Sequence, residues 1–403
     1  MIVAPSRQHQ NYESDSKFSR GLLALGFGLL SISTGPTFLG LRLFFIVGAL
    51  LILVSALTNS AKGTAGFERS QVVLLLALFV SGTIALLTSP VRDNFSQGLN
   101  WLLLSFICVV LTIIVRYQFL NPAWSIISGL MLLGFGDAIY VLFSLISNGQ
   151  IIFSSTNQRP FLFEYYLQDA FVCALSGIAF FFFAAIAKSK QKQFGLFFMG
   201  LACVSALVIL ASRGALVSFL AGTAFTLIML ARRGQISRTI IFWASTIYGA
   251  LALFLLTPAG NQLIQRFQAV SNSEVYNQVR RANFQQLALA FLVDHPLGLG
   301  WNAFSAITAN AYSEAVRSTH SMYFSLGLDL GWVGAISYLV MLLIMIKKSF
   351  GNQISLEIAV LGSIAIAYLV EGLNDSPHVL PISLGWSLFF MVLYNGRVDE
   401  KEA

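Results

Sequence analysis

One histidine and a few arginines carry the chemistry this chain can do. His320 follows Ser318-Thr319 at the N-terminal edge of a long apolar run. An imidazole titrates near neutral pH, so it exchanges protons where most side chains cannot. Arg213, in Ser212-Arg213-Gly214, sits between two apolar runs, and Arg280 and Arg281 stand together at the head of a patterned polar segment. A guanidinium is a planar fork that grips phosphate or carboxylate through two parallel hydrogen bonds and stays charged when partly desolvated. Each residue also has an ordinary reading: an interfacial histidine, a turn with an anchoring arginine, a side chain snorkelling to lipid headgroups.

Other chemistries lack their residues. There is no Walker-type phosphate loop, no GxGxxG after a strand and no HExxH. No Asp-Asp or Asp-X-Asp pair occurs, so the carboxylate cluster by which metal-dependent nucleotide-sugar transferases hold a diphosphate is missing. His9, His295, His320 and His378 are too scattered for a metal motif. No metal and no cofactor is expected.

The elements that must position these residues are set by composition. Of 403 residues, 57% are hydrophobic and 10% charged, with a mean hydropathy of +0.77. A soluble chain runs near ~25% charged because its surface must be solvated. Soluble enzyme, disordered scaffold and secreted disulfide-rich module are excluded. The 35 Phe and 32 Gly suit lipid-facing and tightly packed membrane helices. Cys108, Cys173 and Cys203 lie inside apolar runs and do not suggest a disulfide framework. Residues 1–20 are polar and read as a cytoplasmic tail, not a cleaved signal.

Apolar runs long enough to span a bilayer predict about twelve transmembrane helices in an all-α polytopic membrane protein. They fall at 20–35, 38–57, 71–89, 99–119, 122–147, 168–187, 194–211, 214–231, 238–256, 319–346, 354–372 and 380–396. With the N-terminus in the cytoplasm, sixteen of the 24 Lys and Arg fall inside and eight outside, which favours both termini cytoplasmic. The net charge of +7 therefore reads as a topology signal and not as a nucleic-acid site. All eight outer residues are arginines (Arg42, Arg92, Arg159, Arg213, Arg266, Arg280, Arg281 and Arg317), which leans toward an anionic ligand on that side.

This makes residues 1–403 a single transmembrane domain with one large extracytoplasmic loop, 257–318, bearing part of the site. Within the loop Phe284, Leu287, Ala288, Phe291 and Leu292 recur at helical spacing, predicting an amphipathic helix able to lie on the membrane and ended by His295-Pro296-Leu297-Gly298-Leu299-Gly300. Arg280 shares its stripe. A smaller outer loop, 148–167, carries Arg159 and Glu164.

The order and spacing of these residues match a family. Asp294-His295-Pro296-Leu297-Gly298-Leu299-Gly300-Trp301-Asn302-Ala303-Phe304, Thr319-His320-Ser321-Met322-Tyr323 and Gly331-Trp332-Val333-Gly334 resemble the O-antigen ligase and O-antigen polymerase superfamily, and Ser212-Arg213-Gly214 resembles its earlier arginine motif. The resemblance covers about 210–340; the first 200 residues match in topology only. It implies a GT-C-like bacterial cytoplasmic-membrane glycosyltransferase whose site faces outward. Its partners would be an undecaprenyl-diphosphate-linked glycan donor, a saccharide or lipid-linked saccharide acceptor, and membrane lipid. It implies His320 as the catalytic residue, Arg213 and Arg280 (with Arg281 as the shifted alternative) as donor-diphosphate binders, and Ser212, Ser321 and Asp329 as supporting residues. Ser321 stands where the family commonly has Asn, and Asp329 where it commonly has Glu. Two arginines in a water-poor site can stabilise a leaving diphosphate without a metal, and one neutral histidine can deprotonate an acceptor hydroxyl, with inversion as the expected outcome.

The alternative is a multi-span transporter or flippase of lipid-linked glycans. Such proteins place charged groups near the membrane midplane. Asp137, beside Gly134 and Gly136, reads as the only deeply buried carboxylate and weakens that case.

Overall fold

A computed structural model describes residues 15–30, 37–38, 41–59, 69–91, 95–119, 122–148, 166–210, 212–232, 272–301, 303–312, 319–351 and 356–374, with isolated positions elsewhere. The helices over these ranges are α1 (Lys17–Leu30), α2 (Leu43–Thr58), α3 (Arg69–Thr88), α4 (Phe95–Gln118), α5 (Pro122–Asn148), α6 (Tyr166–Ile186) and α7 (Lys190–Leu210). They continue with α8 (Arg213–Arg232), α9 (Asn272–Asp294), α10 (Ala303–Tyr312), α11 (Met322–Ser349) and α12 (Leu356–Asn374). Strand among the described residues is confined to one antiparallel pair, β1 (Thr37–Phe38) and β2 (Leu41–Arg42). The predicted span 38–57 therefore opens on this hairpin, and its helix starts only at Leu43.

Among the described residues, seven helices are long and apolar enough to cross a membrane: α3 to α8 and α11. Helices suit such runs because lipid offers no hydrogen-bond partner, so each backbone group must be satisfied within its own segment. The apolar part of α2, Phe44–Thr58, is shorter. Predicted spans 238–256 and 380–396 lie largely outside the described residues, as do loop residues 149–165 and 313–318.

Side chains of α6 are almost wholly enclosed by neighbouring helices, whereas α3 turns many apolar residues outward. Helix contact relies on small residues, as expected where apolar area gives no drive for association in lipid. At the α1–α2 crossing a Cβ on Gly48 would stand 2.5 Å from Leu30 N. Between α8 and α12 the hydroxyls of Thr226 and Ser363 meet at 2.7 Å. All three cysteines are buried and unpaired with one another.

Asp137 is fully buried and accepts a hydrogen bond from Cys173 Sγ at 3.4 Å, but it is not alone. Asp169, Asp329 and Glu371 are buried as well. The expectation of a single buried carboxylate is corrected: residues 169, 329 and 371 lie within or beside apolar runs, and only packing shows that their carboxyls turn inward.

The most consequential local feature is a break inside α11. Gly331 has φ 69° and ψ 173°, a conformation open to glycine and costly for other residues. The freed backbone groups are met by neighbours. Leu299 N–H donates to Leu328 O at 2.6 Å, and Trp332 N–H donates to Pro296 O at 3.1 Å. Ser81 of α3 donates its hydroxyl to Leu330 O and accepts Gly334 N–H at 3.2 Å. The turn 295–300 thus plugs the break, and Trp301 stacks on Trp101 of α4 at 4.6 Å between ring centroids. The Gly331-Trp332-Val333-Gly334 motif is the socket for that turn.

Candidate functional site

The site assembles at the end of the bundle where α8 and α11 begin and α12 finishes. Ser212 is buried and caps α8, its Oγ accepting Ala215 N–H at 3.4 Å. This leaves Arg213 as the first helical residue, with an exposed side chain. Gly214 follows because nothing larger fits: a Cβ there would lie 2.8 Å and 2.9 Å from the two carboxylate oxygens of Glu371. Ser218, one turn on, donates its hydroxyl to Glu371 Oε2 at 2.9 Å. A carboxylate at the first turn of α8 also meets the positive end of that helix's dipole.

Glu371 had not been singled out in the sequence, where it closes the apolar run 354–372. Its neighbours join the two expected motifs. Gly372 packs on the Met322 side chain, a Cβ there falling 2.7 Å from Met322 Cε. Tyr323 donates its hydroxyl to Leu369 O at 2.8 Å. Leu369–Gly372 of α12 therefore contacts Gly214 on one side and Met322-Tyr323 on the other, bringing Ser212-Arg213-Gly214 and His320-Ser321 to one place.

His320 precedes α11 with φ 55°, the one positive-φ non-glycine among the described residues. It is half-buried between fully buried Thr319 and buried Ser321. Ser321 takes the N-cap position of α11 with extended backbone, yet makes no capping bond. The Thr319 hydroxyl accepts Ser321 N–H instead, at 3.2 Å. Asp329 is buried beside the break, about 13 Å along the helix axis from His320.

Helix α9 runs alongside α11 in the same direction. Leu292 packs on Gly327, and the turn beyond it on Leu328 and Gly331. Phe284, Ala288 and Leu292 are buried with Leu299, Ala303, Phe304 and Leu328. The apolar face expected to lie on lipid is thus covered by α10 and α11. Phe284 stands eight helical residues, about 12 Å, before Leu292, and Arg280-Arg281 about one turn before Phe284. Arg281 is exposed; the Arg280 side chain lies outside the described residues. Among the described residues no group of three or more His, Cys, Asp or Glu is arranged to hold a metal ion.

A helical bundle with seven membrane-crossing lengths and a polar cluster at one end defines a multi-pass membrane protein. Residues 194–339 match the O-antigen ligase family model, so this part of the chain is similar to that family. The matched stretch holds Arg213, Arg280, Arg281, His320 and the broken helix; Glu371 lies beyond it. No curated protein matches the chain.

Proposed function

We propose that this protein is a metal-independent, inverting membrane glycosyltransferase. It moves a glycan from an undecaprenyl diphosphate carrier to a saccharide acceptor at the outer face of the cytoplasmic membrane. The observation that carries this reading is the convergence of the Arg213 motif and the His320 motif on Leu369–Gly372 of α12. Exposed Arg213 at the N-terminus of α8 offers a planar fork suited to a diphosphate. Arg280 or Arg281, on α9 one turn before buried Phe284, supplies the second cation.

In the reaction His320 takes the proton of the acceptor hydroxyl as that oxygen bonds the anomeric carbon. The bond from that carbon to the diphosphate oxygen breaks, and the electron pair leaves on the diphosphate, where the arginines stabilise its charge. One displacement inverts the anomeric centre. The protein's own groups thus supply both the proton acceptor and the positive charge.

Deletion of the gene followed by glycan analysis tests the reading. Loss of attachment at normal chain length identifies a ligase; single repeat units left on the acceptor identify a polymerase. Loss of the transferred glycan, with lipid-linked donor held on the cytoplasmic side, would instead indicate a flippase.

A further inference from the structure

Among the described residues, the one non-glycine with positive φ is the residue assigned the proton transfer, and two hydroxyls hold it. A left-handed backbone is strained for a non-glycine residue, so His320 at φ 55° needs a frame that compensates. Thr319 provides one. Its Oγ1 donates to Ser321 O at 2.8 Å and accepts Ser321 N–H at 3.2 Å, clasping both backbone polar groups of the residue after His320. Ser325, one turn into α11, places its Oγ 2.9 Å from Thr319 Oγ1 and accepts Thr319 N–H at 3.4 Å.

One arrangement of the protons uses all of these contacts. With the Thr319 proton on Ser321 O, the Ser325 hydroxyl donates to Thr319. Ser325 N–H then starts the helix by donating to Ser321 O at 3.0 Å. Thr319, Ser321 and Ser325 are all buried, where such bonds are stronger than in water. The His320 imidazole leaves this closed frame only half-buried.

We propose that Thr319 and Ser325 are positioning residues whose hydroxyls clamp the backbone around His320 and aim its imidazole at the transferring group. The proposal rests on His320 being the proton-transfer residue. Thr319→Val keeps the shape of residue 319 and removes the hydroxyl, leaving Ser321 N–H without its partner. Ser325→Ala removes only the outer member of the pair.

The experiment uses the full-length protein in detergent. Total lipid-linked glycan from the source cells serves as donor and their acceptor-bearing membrane extract as acceptor. Turnover is read as released undecaprenyl diphosphate, and donor-site affinity by binding of undecaprenyl diphosphate itself. Thr319→Val should lower kcat about ten- to a hundredfold, the scale of a misplaced catalytic group. Donor KM and undecaprenyl diphosphate affinity should stay within about threefold. Thr319→Ser should restore kcat, and Ser325→Ala should show a smaller loss of the same kind, which carries the test where Thr319→Val does not fold.

Wild-type kcat in Thr319→Val, or a raised KM at unchanged kcat, overturns the proposal. His320→Ala in the same assay separates the two levels. If it is inactive while Thr319→Val is fully active, only the positioning role fails. If it retains turnover, the catalytic reading falls and this role falls with it.

Discussion

Gly214 and the Glu371 carboxylate occupy one space: a side chain on residue 214 would stand within 2.9 Å of both carboxylate oxygens. The glycine of the arginine motif is therefore the seat of a buried acid from α12. Gly214→Ala should push that carboxylate aside, at a cost of about 1–3 kcal/mol for overpacking. Detergent melting curves and transfer assays should both fall. A variant with wild-type melting and wild-type transfer would show that the seat does not matter.

Glu371 itself should matter more through charge than through shape. Glu371→Gln keeps the volume and the bond from Ser218 while removing the charge at the first turn of α8. Transfer should drop at least several-fold with little change in expression or melting. Unaltered transfer in Glu371→Gln would make the residue a packing element only.

The arginines and the histidine should fail differently. Arg213→Ala and Arg280→Ala should weaken undecaprenyl diphosphate binding and lower turnover together, because the same phosphates are held before and during reaction. His320→Ala should leave that binding within a few-fold while turnover falls by roughly 10²–10⁴. Equal loss of binding in all three variants would reassign His320 to recognition.

The plugged break in α11 predicts a coupling across the fold. Gly331→Ala faces both the positive φ and the carbonyl of Leu297, where a Cβ would approach to 2.6 Å. A loss of about 2 kcal/mol or more is expected, with the turn 295–300 expelled and α9 opened to added protease. Ser81→Ala should do the same more mildly, since it leaves Gly334 N–H and Leu330 O without their hydroxyl partner. Unchanged proteolysis in both variants would contradict the plug.

Orientation is tested by labelling. Asn272→Cys should react with an impermeant thiol reagent from outside the cell, and Gln235→Cys only after permeabilisation. The reverse pattern would place the site in the cytoplasm and remove access to an outward-facing acceptor.

Helix positions were legible in the sequence because lipid leaves a backbone no other choice. The run read at 214–231 became Arg213–Arg232, and that at 71–89 became Arg69–Thr88. The types and order of Arg213, Arg280 and His320 were equally plain, since few charged residues interrupt such a chain. Other features depended on contacts between segments far apart in sequence. Glu371 closes an apolar run, and only the rotation of α12 turns its carboxyl onto Gly214. The face Phe284-Ala288-Leu292 has the periodicity of a helix on lipid, yet α11 covers it, because period reveals an apolar stripe and not what meets it. Gly331 and His320 adopt positive φ inside segments that read as an unbroken span, because their backbone is set by bonds from Pro296, Leu299, Ser81 and Thr319. Local pattern determined which segments are helices. The partners each helix found decided where its polar groups point.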